Sequence, residues 1–234
     1  MAKKYRPLVE LQNLDKTTTM TKTPEIILAS TSPRRKQLLE QIDLSFEIIP
    51  SSVHEDFSIS LEPEQFAMHY AQAKAENVAL QHPGSLVIGA DTIVVFDGKI
   101  LGKPKDENDS FNMLSMLSGQ THKVVTGVSI QWKNNNINDT FFETTYVTFT
   151  RFDSNAINCY IETYHPFDKA GRYGIQDSFS VYVKKIEGDF YNVITLGTHD
   201  LGGGDVDFIN GDEVIFDGTD WQRKPYAGAL IEYD

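Results

Sequence analysis

Leu86–Phe96 reads LVIGADTIVVF, and the fold is decided by how this stretch is read. It is apolar on both alternating faces, the pattern of a strand buried at the centre of a sheet rather than one half exposed to water. Working outward, Asp97-Gly98 is a strong type I′ turn signal into Lys99-Ile100-Leu101. A helix follows from Asp106 to Leu117, capped by Asp106 and ended by Ser118-Gly119. Lys123–Trp132 and Thr140–Thr150 are two long strands joined by the surface turn KNNNIND. Asp153–Thr163 is a short helix with Ile157, Tyr160 and Ile161 on one face, and Phe179–Ile186 is a further strand.

Upstream of the central strand, Glu62–Leu80 places Phe66, Tyr70, Ala73 and Leu80 at a period near 3.6, with Pro63 at its start. Residues 45–50 form a strand ending at Pro50, and Ile26–Ala29 form a buried strand. Ser32-Pro33 then reads as an N-cap with proline at the first helical position. Strands and helices in this succession make an α/β body over residues 24–197. Residues 1–23 are polar and Thr-rich, an extension rather than core. Residues 198–234 begin with the break LGGGD and continue as short strands with turns at Asn210-Gly211 and Asp217-Gly218, a small β appendage.

The bulk numbers exclude several classes. A net charge of −12 over 234 residues leaves no basic footprint for nucleic acid or a membrane surface. A polyanionic substrate therefore needs a local basic pocket cut into an acidic body. The single cysteine, Cys159, rules out an intrachain disulfide and fits a reducing compartment. No apolar run approaches the roughly 20 residues of a membrane helix, and the N-terminus lacks a signal-peptide core. The expected location is the cytoplasm.

Chemistry concentrates at a few positions. The stretch ASTSPRR, residues 29–35, sets Arg34 and Arg35 in the first turn of a helix, where the macrodipole is already positive. Free N–H groups, hydroxyls and guanidinium groups make an anion site; the bland alternative is a solvated arginine pair. The glycines and GK[ST] of a Walker loop are missing. Asp91 lies mid-strand among apolar residues, where an ionised carboxylate needs a partner. It reads either as a structural aspartate bonded to backbone or as a metal ligand or general base. Glu55 and Asp56 offer further carboxylates from a charged loop. Lys74 lies roughly 80° from the centre of its helix's apolar stripe, at the core boundary, and Lys103 stands in a Gly-Lys-Pro turn. Arg34, Arg35, Lys74 and Lys103 together supply positive charge for a polyphosphate. The six histidines show neither helical pairing nor a cysteine partner, which argues against zinc. A hard divalent ion, Mg²⁺ or Mn²⁺, held by carboxylates and substrate phosphates suits the inventory better.

In order, these pieces resemble the Maf family of nucleoside triphosphate pyrophosphatases. The likeness runs through residues 29–35 with Leu38-Leu39, Ala73-Lys74-Ala75, Gly89-Ala90-Asp91-Thr92 and Leu101-Gly102-Lys103-Pro104. It continues through Leu117-Ser118-Gly119, Thr121-His122, Val125-Thr126-Gly127, residues 168–176 (DKAGRYGIQ) and Glu187-Gly188-Asp189. The resemblance implies an elongated mixed β-sheet with flanking helices and two lobes around a central cleft, similar to the inosine-triphosphate pyrophosphatases. It implies metal-dependent hydrolysis of nucleoside triphosphates to monophosphate and pyrophosphate, and a homodimer. Carried over by position, Ser30, Arg34, Arg35, Lys74 and Lys103 bind the triphosphate, the two lysines taking part in catalysis. Asp91 is the catalytic carboxylate and a metal ligand, with Glu55 as the second acidic contributor. Thr92 and Gln176 match the branch acting on dTTP and UTP; a glutamine can read a pyrimidine's imide edge through its paired donor and acceptor.

The chain departs from the family at several places. Val53-His54-Glu55 replaces an Ile-Asp-Glu-like stretch, so one carboxylate is lost. Tyr191 stands where a small residue is common, and the closing leucine-rich helix is absent. In its place GDEVIFDGTDW is similar to small β modules of phage structural proteins, which points to a protein partner on residues 198–234. The alternative function is a nucleotide-binding module or assembly component. The joint presence of Asp91, Lys74, Lys103 and both arginines favours the enzyme.

Overall fold

The computed structural model describes residues 23–102, 104–164, 173, 178–194, 213–216 and 221–224. The first strand β1 (Ile26–Leu28) leads into α1 (Pro33–Gln41), then β2 (Glu47–Ile48) and the long helix α2 (Pro63–Ala79). The hairpin β3 (Leu86–Phe96) and β4 (Lys99–Leu101) follows, then α3 (Glu107–Leu117), β5 (Thr121–Trp132) and β6 (Ile137–Phe149). Helix α4 (Ser154–Tyr164), β7 (Val183–Glu187), the short α5 (Phe190–Ile194), β8 (Glu213–Phe216) and β9 (Trp221–Lys224) complete the described elements. One mixed sheet runs β2-β1-β3-β5-β6-β7-β8-β9, with β4 on the free edge of β3. Among the described residues only β1 with its neighbours β2 and β3 pairs in parallel; every other ladder is antiparallel. The α/β class and the elongated mixed sheet with flanking helices are thus as expected.

Leu86–Phe96 is the central strand, with helices over both faces. Ile93 and Val95 pack under Phe66 and Tyr70 of α2, alongside Val125 of β5. Val94 points the other way, into a larger cluster with Leu114 and Leu117 of α3 and Ile157, Tyr160 and Ile161 of α4. Ile27, Ala75, Val78 and Val87 form a third cluster where α2 crosses β1. Each fully buried aliphatic or aromatic side chain contributes about 1.5–3 kcal/mol of transfer free energy.

Helix α2 lies unusually close to the sheet, and two glycines allow it. A Cβ on Gly89 would stand 2.5 Å from the Ala71 carbonyl oxygen and 2.6 Å from the Ala75 nitrogen. One on Gly127 would stand 2.3 Å from the Ala67 carbonyl oxygen. Ala67, Ala71 and Ala75, one turn apart and wholly buried, form the matching ridge. The stripe of α2 is therefore centred on alanines, and Leu80, expected on the apolar face, is 67% exposed.

Local signals resolve the turns. Asp97 and Gly98 both take positive φ, 49° and 71°, as a type I′ hairpin requires. Asp106 caps α3 through a 2.8 Å bond from the Asp109 N–H. Two readings need correction. The connection expected across KNNNIND is tighter, because Asn136 at φ 55° reverses the chain and Ile137 already pairs with Trp132. Phe179 belongs to a 3-10 turn over Ser178–Tyr182, since its ring is required in the aromatic cluster below the sheet. At the far edge β8 pairs with Lys185 and Ile186 of β7, and β9 pairs with β8. No helix among the described residues is long and apolar enough to cross a membrane.

Candidate active site

The site is a gap in the sheet. Strand β1 accompanies β3 only as far as Ile88, with a last bond from the Ala29 N–H to the Ile88 carbonyl at 2.8 Å. Strand β4 meets β3 only from Val94 onward. Between them, Gly89–Ile93 have no strand neighbour on that edge among the described residues, while β5 holds the other edge in unbroken register. The chain leaving β1 turns here into α1, so the carboxyl end of a parallel strand and a helix N-terminus both open on the gap. Ligands of open α/β sheets bind at such crevices. The resulting cleft measures about 390 Å³ and is walled by α1, the 50–57 loop, Lys74, Asp91, Thr92 and Gly102.

The acidic side is built by β3, α2 and the loop. Asp91 is 3% exposed and faces α2 because it alternates with Ile93 and Gly89. Lys74 Nζ donates to Asp91 Oδ1 and to Glu55 Oε1, each at 2.6 Å. The close seat of α2 on Gly89 and Gly127 makes that reach possible. Glu55 is delivered by a loop fastened to the same helix. The Asp56 N–H donates to Tyr70 Oη at 2.6 Å, Tyr70 Oη donates to the Asp56 carbonyl at 3.1 Å, and the Ser52 N–H donates to Asn77 Oδ1 at 3.1 Å. Phe57 then stacks on Phe66 at 5.3 Å. Burial pushes the Asp91 carboxyl above the usual carboxylate range; Lys74 pulls it back, and the neighbouring Glu55 charge raises it again. Its second oxygen, Oδ2, is buried with no hydrogen-bond partner among the described residues.

The basic side is the first turn of α1. Ser32 occupies the N-cap and Pro33 follows, but the Ser32 hydroxyl makes no capping bond and the turn contains no acid. The Ser32 N–H instead donates to Ser30 Oγ at 3.2 Å. Arg35 donates through Nη1 to Ser30 Oγ at 3.0 Å and through Nη2 to Thr92 Oγ1 at 3.2 Å. Thr92 is braced in turn by Thr126 Oγ1 at 2.9 Å. Burial lowers the Arg35 pKa, opposed by the charges of Asp91 and Glu55; a guanidinium stays protonated regardless. Arg34 is 8% exposed and lines the same cleft.

Ser30, Arg34, Arg35, Glu55, Lys74, Asp91 and Thr92 thus converge on one cleft. Lys103 and Gln176 lie outside the described residues. Sequence reasoning gave no role to Tyr70, which anchors the Glu55 loop, or to Thr126, which braces Thr92. Thr126 had a signal, since it stands in Val125-Thr126-Gly127 on a strand that a buried neighbour must join. Tyr70 had none beyond its place on an apolar stripe. Among the described residues no group of three or more histidines, cysteines or acids stands ready for a metal.

The Maf-like protein family model matches residues 25–202. The chain belongs to the Maf-like family. The alignments with curated relatives span about nine-tenths of those proteins and about three-quarters of this chain. The protein named dTTP/UTP pyrophosphatase from Bacillus pumilus is 46% identical over 172 residues, covering 74% of this chain and 90% of that one. Its namesake from Bacillus velezensis is 47% identical over 174 residues, covering 74% and 91%. That from Ruminiclostridium cellulolyticum is 46% identical over 178 residues, covering 76% and 92%. Among solved structures, the Ham1 protein of Staphylococcus aureus aligns with a TM-score of 0.39 at 15% identity, over 53% of this chain and 71% of that one.

Proposed function

We propose that this Maf-like cleft hydrolyses nucleoside triphosphates, dTTP, UTP or a modified pyrimidine triphosphate first among them, to nucleoside monophosphate and pyrophosphate. The observation that carries the reading is the opposition of a buried, raised-pKa carboxylate, Asp91, to a helix N-terminus bearing Arg34 and Arg35, across one cleft. The names of the relatives supply the substrate class.

Phosphoanhydride cleavage asks for charge neutralisation and an in-line water more than for covalent chemistry. Asp91 Oδ2 takes a proton from water, whose oxygen attacks the α phosphorus; the bond to the bridging oxygen breaks and pyrophosphate departs. Lys74 holds the opposite oxygen of Asp91, so the base presents a fixed lone pair. The free N–H groups of α1 and its arginines face the phosphate chain and stabilise the developing negative charge. Arg35, tied to Ser30 and Thr92, gives that wall its shape. Lys103 and Gln176 are assigned to phosphate and base by resemblance.

A divalent ion fits the donor set. Asp91 Oδ2, as the alternative to its role as base, and the adjacent Glu55 are hard oxygen donors, and Mg²⁺ characteristically takes one or two carboxylates plus substrate phosphates. When bound, Mg²⁺ or Mn²⁺ would neutralise phosphate charge at this end of the cleft.

The test is pyrophosphate release across the common nucleoside triphosphates with Mg²⁺ or Mn²⁺, for the full chain and for Asp91→Asn. The expected result is turnover highest on dTTP and UTP and abolished in the variant. Nucleotide binding without turnover on any of them would replace the enzyme with a binding module. We further propose a homodimer, as the family implies, a cytoplasmic location, and a division into 1–23, 24–197 and 198–234 with a protein partner at the last. Light scattering of the full chain reads the first.

A further inference from the structure

One side chain on the cleft wall has no part in the chemistry above. Among the described residues that line the cleft, Phe57 is the one aromatic, and it is 47% exposed. Its ring stacks on Phe66, with centroids 5.3 Å apart and planes 29° from parallel. Phe66 is itself 1% exposed, so that face of the Phe57 ring is taken. A Cβ on Gly102 would meet Phe57 Cε1, Cζ and Cδ1 at 3.5, 3.6 and 3.8 Å, the atoms of a single edge. One face and one edge are thus occupied, and among the described residues the outer face is left to the cleft.

The ring is also held still. It sits at the tip of a turn pinned on either side. The Asp56 N–H donates to Tyr70 Oη at 2.6 Å, and the Ser58 N–H donates to Asp56 Oδ1 at 2.9 Å. A platform fixed before the ligand arrives loses little entropy when the ligand binds.

Its position fits one part of a nucleotide. Leu101 of β4 pairs with Val94 of β3, so Gly102, the next residue, stands at the level of Ile93. That is the end of the gap away from α1. Asp91 lies two residues back along β3, about 7 Å of strand. Phosphates drawn to Arg34 and Arg35 at one end, with the α phosphorus at Asp91, leave the ribose and base to the end where Phe57 stands.

We propose that Phe57 is the platform on which the nucleobase stacks, its outer face taking the π face of the base. This rests on the triphosphatase reading above and deepens it by placing the base within the described cleft. Offset-stacked aromatic rings attract beyond their burial of area, and stacking accepts any base because every base has a π face.

The variants are Phe57→Leu, which keeps an apolar cover over Phe66 and removes the ring, and Phe57→Trp, which widens it. Equilibrium binding of dTTP, dCTP and inorganic tripolyphosphate with Mg²⁺ is measured by calorimetry on the full chain carrying Asp91→Asn, so that nucleotide is not consumed. KM for the two nucleotides is measured with Asp91 intact. Phe57→Leu should weaken dTTP and dCTP alike, about fivefold to twentyfold in Kd and in KM, as for one lost stacking contact. Tripolyphosphate, which has no base, should stay within about twofold. Phe57→Trp should hold or tighten both nucleotides, and its added emission, over that of the parental Trp132 and Trp221, should be quenched by dTTP and not by tripolyphosphate. Parental nucleotide affinity in Phe57→Leu would overturn the proposal. An equal loss for tripolyphosphate would overturn it too, making the ring a prop for the Glu55 loop. Binding of dTTP that depends on Phe57, in a chain that turns over no triphosphate, keeps the stacking site and removes the hydrolase reading. Absence of dTTP binding in both measurements with Phe57 in place removes both.

Discussion

Substituting Gly127 by alanine tests whether the seat of α2 on the sheet sets the geometry of the site. Gly127 pairs directly with Asp91 across β3 and β5. The added Cβ would lie 2.3 Å from the Ala67 oxygen, 2.4 Å from the Ala67 carbonyl carbon and 2.6 Å from the Met68 nitrogen, all of them backbone atoms. Ordinary contact begins near 3.4 Å, so relief takes a movement of about 1.1 Å that no side-chain rotation can supply. Helix α2 must lift, and Lys74 and the loop bonded to Tyr70 and Asn77 must move with it. Overpacking of this kind costs about 1–3 kcal/mol. At about 2–4 °C per kcal/mol for a domain of this size, Tm falls by roughly 2–12 °C. A displacement near 1 Å at the Lys74–Asp91 contact lowers kcat by about 10²-fold. Thermal unfolding and pyrophosphate release measure the two effects. Gly84→Ala, whose Cβ meets only Asn134 at 3.7 Å, serves as the silent control. A Gly127→Ala protein with parental Tm would refute the packing analysis. One that melts lower but turns over normally would refute the link from helix seat to Lys74.

Three further outcomes follow from the site. The raised Asp91 pKa means that the folded state holds this proton after the unfolded chain has released it, so stability falls as pH rises from about 3.8 through the folded value. Asp91→Asn lacks that contribution, and the difference in unfolding free energy between parent and variant should decline across the window; a constant difference in urea titrations at several pH values would contradict it. Lys74→Met removes the main influence lowering that pKa, so the rising limb of the pH–rate profile should move to higher pH; an unmoved limb excludes Asp91 as the base. Thr126→Val should reproduce Thr92→Val, each raising KM for dTTP about twofold to tenfold, since both loosen the brace on Arg35; a parental KM in Thr126→Val would break the chain of contacts.

What was legible in the sequence follows the range of the forces involved. Leu86–Phe96 could be assigned because burial on both faces leaves no polar alternation, and Asp97-Gly98 because a type I′ turn needs two positive φ values. Asp106 could be assigned because an N-cap is a contact across three residues. Long-range placement was legible only where a residue type would be costly without a partner: Asp91 demanded one, and it has Lys74. The partner itself was not readable, although Lys74 was among the residues expected at the cleft. Its commitment to two carboxylates depends on how closely α2 approaches the sheet, which Gly89 and Gly127 set through backbone contact. Leu80 failed for a related reason. Hydropathy ranks leucine above alanine, whereas close packing on glycine strands selects the alanine ridge.

The placement of charge bears on the oddity of two arginines in the first turn of a helix. Lys74 is neutralised twice over by Glu55 and Asp91, so it adds little net attraction for phosphate in the resting site. Among the described residues the pull on a polyanion then comes from α1, where the turn has neither an acid nor a side-chain cap to quench its positive end. An acid in that turn would steady the helix by about 0.3–1 kcal/mol and cancel the same field. Arg35 is kept in a fixed pose by Ser30 and Thr92 instead of by a carboxylate, so its charge is positioned without being neutralised by contact. Helix stability is given up where the net charge of the chain is most unfavourable to the proposed substrate. In a protein at −12 overall, that local exception is what lets a triphosphate approach.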